Sequence, residues 1–216
     1  MTDETIASLL DKINDGFSAD WAFVRPINTN IKFGRVWTDL PNGVVAFERG
    51  YPFYFIHSTE GQCIGAVLDM GPSDLHVFVK PEYRRQGVMT RALRDTILPH
   101  LFRDNRSEQC MTFLTAESRG LIEKLGFEFV DEGKAKITAE KCQKIVFSED
   151  KRLPFPEDRM EAIMRKIGIA ASLLRMASEE CALYLDSEFV EEIEFHEGDL
   201  RSLSGRVEDA WWAQEK

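Results

Sequence analysis

Between Leu75 and Leu93 the chain reads LHVFVKPEYRRQGVMTRAL, with arginines, a glutamine and a glycine between an apolar alternating run and a helical one. Leu75, Val77 and Val79 share one face of a short strand, and His76 and Phe78 share the other. Pro81 has no backbone N–H, so the strand ends near Lys80. Arg84-Arg85-Gln86-Gly87 then turns into a helix predicted to begin near Thr90. Free N–H groups and the positive end of a helix dipole make such a turn an anion site. Gly87 admits close backbone approach where a Cβ would intrude. Lys80, Arg84, Arg85, Arg91 and Arg94 supply a local basic patch. The chemistry implied is recognition of a phosphorylated cofactor, although neither G-x-x-x-x-G-K-[ST] nor G-x-G-x-x-G occurs. No metal is expected, because His57, His76, His100 and His196 show no ligand spacing with Cys63, Cys110, Cys142 and Cys181. Cys110 opens a strand with no histidine beside it in sequence and reads as a buried thiol rather than a nucleophile.

The order strand, Pro, [RQ]-x-x-G-x-[GA], helix is met here as Val77-Phe78-Val79-Lys80-Pro81-Glu82-Tyr83-Arg84-Arg85-Gln86-Gly87-Val88-Met89. Some forty residues on, TAESRGLIEKLGFEFVDEG repeats a helix, Lys-Leu-Gly-Phe, strand pattern. Taken together, these two motifs resemble the GNAT superfamily of acyl-coenzyme A N-acyltransferases, over roughly Tyr51 to Phe147. The resemblance implies acetyl-coenzyme A as co-substrate and an amine, of a small molecule or a protein, as acceptor, with direct attack on the thioester. It implies that Val77, Phe78 and Val79 offer backbone groups to the pantetheine arm. N–H groups from Arg85 through Gln86, Gly87, Val88 and Met89 to Thr90 would hold the pyrophosphate, with charge from Arg84 or Arg85. Three positions depart from the family pattern. Met89 stands where Gly or Ala is usual, and a side chain there narrows the approach to the pyrophosphate. Thr115 takes a slot often held by Asn, and Ile122 a slot often held by a Tyr that acts as general acid. An amine is protonated at neutral pH, so a base is needed. His76 and Asp74 are the catalytic candidates, with Asp69 nearby, although strand alternation sets His76 opposite the odd-numbered face. The alternative reading is a catalytically inactive GNAT-fold module with a binding or regulatory role. A toxin-like GNAT acting on aminoacyl-tRNA is disfavoured by acidity.

These residues need a scaffold, and the chain predicts an α+β one. It is a GNAT-like, mixed and mainly antiparallel sheet flanked by helices, followed by a C-terminal helical extension. Residues 1–50 read as a helix over Glu4 to Asn14 and strands in WAFVRPI and VVAFER that complete the sheet domain. Residues 51–148 form the cofactor-binding core. FYFIHS and CIGAVLDM make a hairpin about Thr59-Glu60-Gly61, and the helix after the loop runs to about Phe102. CMTFLTA is the next strand. Ser118 is expected to cap a short helix that stops before Gly126, and FEFVDEG pairs with QKIVFSE. Leu153-Pro154-Phe155-Pro156 marks a boundary, and residues 149–216 form an acidic, mainly helical extension. Its first helix carries Met160, Ile163, Met164, Ile167, Ala170, Leu174, Ala177 and Cys181 at helical spacing. These need a surface to bury them, either the sheet domain or a second copy in a homodimer. A further helix is expected after the first, with Trp211 and Trp212 either anchoring that helix or forming a small partner-binding patch.

At 216 residues, 44% hydrophobic and 30% charged, the composition is that of a soluble globular protein. Its net charge of −10 divides into −2 over residues 1–148 and −8 over 149–216. That acidity argues against nucleic acid as a partner. No apolar run reaches membrane-spanning length and MTDETIASLL lacks a basic signal-peptide start, so a cytoplasmic protein with free thiols is expected.

Overall fold

The computed structural model describes residues 1–16, 22–37, 50–142 and 153–215. VVAFER and QKIVFSE lie outside them. The chain divides into two compact units, Met1–Lys151 and Arg152–Lys216.

In the first unit, helix α1 (Asp3–Asn14) starts where the Thr2 side chain accepts from the Thr5 N–H, with Asp3 and Glu4 in its first turn. Five strands follow in sequence and in space: β1 (Ala22–Pro26), β2 (Ile31–Val36), β3 (Tyr51–His57), β4 (Cys63–Asp69) and β5 (Leu75–Val79). Each pairs antiparallel with the next. Alternation sorts their side chains to two faces. Phe53 and Phe55 meet Ile6 and Leu10 of α1 on one face. Tyr54 and Ile56 join the larger cluster on the other. On β4 the alternation slips by one residue. Ile56 faces Gly65 and His57 faces Cys63, so Ile64 is the extra residue of a bulge and packs in the larger cluster.

The loop at Arg84 leads into a helix in three parts: α2 (Val88–Ala92), a π-helical turn (Leu93–Ile97) and α3 (Leu98–Leu101). Pro99 has no N–H and would crowd the preceding turn. The wider turn, in which the Leu98 N–H reaches the Leu93 carbonyl, absorbs this without ending the helix. Leu93, Ile97 and Leu98 are fully buried beneath it.

A second sheet has the order β6 (Glu108–Thr112), β8 (Lys134–Thr138), β7 (Glu128–Asp131), antiparallel throughout. Its middle strand is KAKIT, an element not expected from the sequence. Helix α4 (Ala116–Lys124) connects β6 to β7. Its cap is Thr115 and not Ser118. The Thr115 hydroxyl accepts from the Ser118 N–H, and the Ser118 hydroxyl accepts from the Thr115 N–H, a reciprocal capping box. At the other end Gly126 takes φ 79°, and the Phe127 N–H returns to the Ile122 carbonyl, closing the helix as expected.

The second unit is a pair of helices, α5 (Glu157–Cys181) and α6 (Ser187–Trp212). Arg175 bonds Glu194 near the turn, and Gln214 bonds the Phe155 backbone at the open end, so the pair runs antiparallel. Seven buried or half-buried positions on α5 run from Met160 through Met164, Ile167, Ala171, Leu174 and Ser178 to Cys181. Their alternating spacing of four and three is the coiled-coil seam. Ala171 thus takes the place expected of the exposed Ala170, and Ser178 is buried beside the half-buried Ala177. Glu197 is buried on α6, its carboxylate bonded to Arg201.

Candidate active site

The site begins where two sheets part. β5 is the last strand of the first sheet and β6 an edge of the second. Near their start they are tied. The Cys110 N–H donates to the Pro72 carbonyl at 2.9 Å, and the Gln109 amide donates to the Gly71 carbonyl at 3.0 Å. Asp74 accepts from the Thr112 N–H and hydroxyl, both at 2.9 Å, and from the Leu75 N–H. Below this apex Arg106 grips the Asp69 carboxylate with two N–H groups at 3.0 and 2.9 Å, the two side chains only 17% and 11% exposed. From His76 onward, among the described residues, no backbone hydrogen bond joins β5 to β6. β6 ends at Thr112, level with Asp74, and the space left beside the outer peptide edge of Val77–Val79 is called the wedge.

At the wide end of the wedge stands the loop. A short 3₁₀ turn (Pro81–Tyr83) precedes Arg84, whose Nε donates to the Val79 carbonyl at 3.0 Å. Arg85 has φ 59° and Gly87 φ 73°. Two left-handed residues so close together turn the chain sharply into the open first turn of α2, whose leading N–H groups have no helical partner. Arg85 is unusual as a non-glycine in this region. Its side chain is 88% exposed, with Glu117 at 3.9 Å. Gln86 is braced at both ends, its side chain donating to the Glu82 carbonyl and its own carbonyl accepting from Arg91. A Cβ on Gly87 would lie 3.0 Å from that Arg91 guanidinium. Val88 and Thr90 are half-buried in the first turn. Met89, expected to crowd the loop, is 8% exposed and packs in the large core cluster. Its side chain supports the turn from beneath and leaves the approach clear.

Of the five cations in the sequence patch, Arg84, Arg85 and Arg91 remain at the loop. Lys80 turns away, donating to Asp11 of α1 at 2.6 Å, and that hydrogen bond raises its pKa. Arg94 is engaged by Asp95.

The catalytic candidates fall in different places. His76 lies on the face under α1, its Nε2 2.7 Å from Asp3 Oδ1. Phe78 shares that face, while Val77 and Val79 pack toward the larger cluster. Asp74 is at the apex, with its oxygens occupied as described. Thr115 caps α4. Ile122 is fully buried. Cys63 is buried too, and desolvation pushes its thiol up to about 12, so it carries no nucleophile. Among the described residues no cluster of three or more His, Cys, Asp or Glu could hold a metal. Asp3, Arg106, Gln109 and Thr112 were not foreseen. All four act through contacts with sequence-distant partners, for which the sequence carries no local signal.

The chain matches the acetyltransferase (GNAT) family over residues 15–127. No curated protein matches it. Among solved structures it is similar to a chimera of the spermidine N-acetyltransferase SpeG from Vibrio cholerae and hSSAT, at 15% identity and a TM-score of 0.35, covering 42% of this chain and 69% of that one. A mutant of the Vibrio cholerae SpeG gives 14% identity and a TM-score of 0.36, covering 44% and 69%. A structure described as a probable acetyltransferase gives 10% and 0.35, covering 55% and 98%. Because the family match spans more than half of the 216 residues and brackets both the parted strands and the loop, the chain belongs to the GNAT acetyltransferase family.

Proposed function

We propose that the chain transfers an acetyl group from acetyl-coenzyme A to an amine of a small molecule or a protein, by direct attack. The observation that carries this reading is the wedge between β5 and β6 opening beside a loop with two left-handed residues. The outward N–H and carbonyl of Val77 and the N–H of Val79 suit strand-like pairing with the pantetheine amides, with Phe78 between them held to β4. The turn from Arg85 to Thr90 suits the pyrophosphate, with Arg84 and Arg85 adding charge and Thr115 closing the far side at the start of α4. The bound co-substrate supplies an activated thioester, so that a C–N bond forms as the C–S bond breaks. The chain must orient the amine and take its proton.

His76 is the proposed base. With Nε2–H donating to Asp3, its Nδ1 keeps a lone pair for a proton, taken directly or through water, and the carboxylate stabilises the imidazolium that results. Asp74 serves as the tether that sets the angle of the wedge. Ile122 has no proton to give, so the departing thiolate takes one from water. The net charge of −10 favours a cationic acceptor. Four unbridged cysteines suit a reducing compartment such as the cytoplasm.

The test is release of coenzyme thiol with acetyl-coenzyme A and a panel of polyamines, lysine peptides and peptides with free N-termini. Acceptor-dependent release is expected. If saturating cofactor and every acceptor class give none, the transferase reading fails. The second reading, a GNAT-fold module without catalysis that binds or regulates, then stands. It is favoured by the burial of Ile122 in the slot where the family's acid is usual.

A further inference from the structure

The helix α5 is apolar on two opposite faces. One is the seam against α6. On the other, Ile169, Leu173 and Met176 recur at steps of four and three, with 56, 59 and 67% of their surfaces exposed. A helix apolar on both sides is suited to lie between two partners. A groove of about 510 Å³ runs from the seam to the border of this face, lined by Arg165, Gly168, Ile169, Ser172 and Leu173 with Ala171 of the seam and Arg201 of α6. A Cβ on Gly168 would meet nothing within 4 Å, so the groove has room for a foreign side chain.

The charges bordering this face are segregated. Arg165 and Lys166 precede the apolar stretch, and Glu179 and Glu180 follow it. We propose that the face is an isologous interface on which α5 of a second copy of this chain lies antiparallel, about a two-fold axis passing between Ser172 and Leu173. Counted from that axis, Ile169 and Met176 are equidistant, as are Lys166 and Glu179, and Arg165 and Glu180. Each copy thus sets its cations opposite the other's carboxylates, and its apolar stretch against the same stretch. Parallel pairing would set like charges together. Self-complementarity of this kind is what a two-fold interface requires, and it selects the second copy over an unrelated helix. Glu179 also holds Arg175 within its own chain at 2.7 Å, an arrangement that leaves its second oxygen for the partner. The proposal stands apart from the acetyl-transfer reading, since no residue of the wedge or loop enters it.

Sedimentation equilibrium on the full chain tests it. The wild type is expected to sediment at twice its 24.8 kDa mass. One variant carries Arg165→Glu with Lys166→Glu, and another carries Glu179→Lys with Glu180→Lys. Each alone faces like charges and should associate at least about tenfold more weakly. An equimolar mixture restores both sets of opposite charges and should recover the dimer, which no loss of folding could mimic. A wild type that stays monomeric at high micromolar concentration overturns the proposal. So do variants that dimerise as the wild type does, or a mixture that remains monomeric.

Discussion

His57 and His76 carry the same side chain into opposite circumstances. His57 ends β3 with 8% of its surface exposed, and burial, then the charge of Lys32, hold its pKa below the ordinary 6.5. The unfolded chain therefore takes a proton at a pH where the folded chain does not. The stability that His57 contributes is complete above about 6.5 and is lost as pH falls toward its folded value. His57→Leu should flatten the fall in Tm between about pH 7 and pH 5. A slope unchanged by the substitution would assign the acid sensitivity elsewhere. His76 is 27% exposed and paired with Asp3. If it accepts the amine's proton, His76→Ala lowers kcat by roughly 10²- to 10⁴-fold with a smaller change in KM. A merely structural histidine would leave kcat near that of the wild type.

At the scale of elements, the wedge and the loop depend on geometry set by contacts that differ in kind. The loop is local: Gly87, Arg85 and the start of α2 lie within six residues. Gly87→Asp forces a side chain into a left-handed position beside Arg91 and points a carboxylate at the anion site. Acetyl-coenzyme A affinity should fall by roughly 100-fold, about 2.7 kcal/mol. Unchanged affinity would take the pyrophosphate away from this loop. Such local features were legible in the sequence. The hairpin at Thr59–Gly61, the strand Leu75–Val79 and the stop at Gly126 are all written in neighbouring residues, and all are present.

What was not legible depends on distant partners. β2 escaped notice because Gly34 interrupts its pattern. That glycine is required because a Cβ there would overlap the Phe23 carbonyl of β1. β8 reads as polar, yet Ala135 and Ile137 are buried between its lysines. Ser118 reads as the cap of α4 in the sequence because the reciprocal bond with Thr115 spans one turn in both directions. Pro99 marks no helix end, because the π-helical turn before it gives its ring room. Asp74 looked like a base because its bonds to Thr112 reach across to another sheet.

The whole molecule joins a family scaffold of nearly neutral charge to a helical pair that carries most of the acidity. The first unit contains both parted strands and the anion loop. Its α1 supplies Asp3 to His76 and Asp11 to Lys80, so the N-terminal helix braces both ends of β5. The second unit has two apolar faces on one helix. Among the described residues no helix is long and apolar enough to cross a membrane. The account's central claim is that the wedge and loop bind acetyl-coenzyme A. Isothermal titration of the full chain with acetyl-coenzyme A, and with free coenzyme A as comparator, tests it most directly. The account predicts saturable binding at one site per chain with a Kd in the micromolar range, about −8 kcal/mol. No heat of binding up to millimolar cofactor would contradict it.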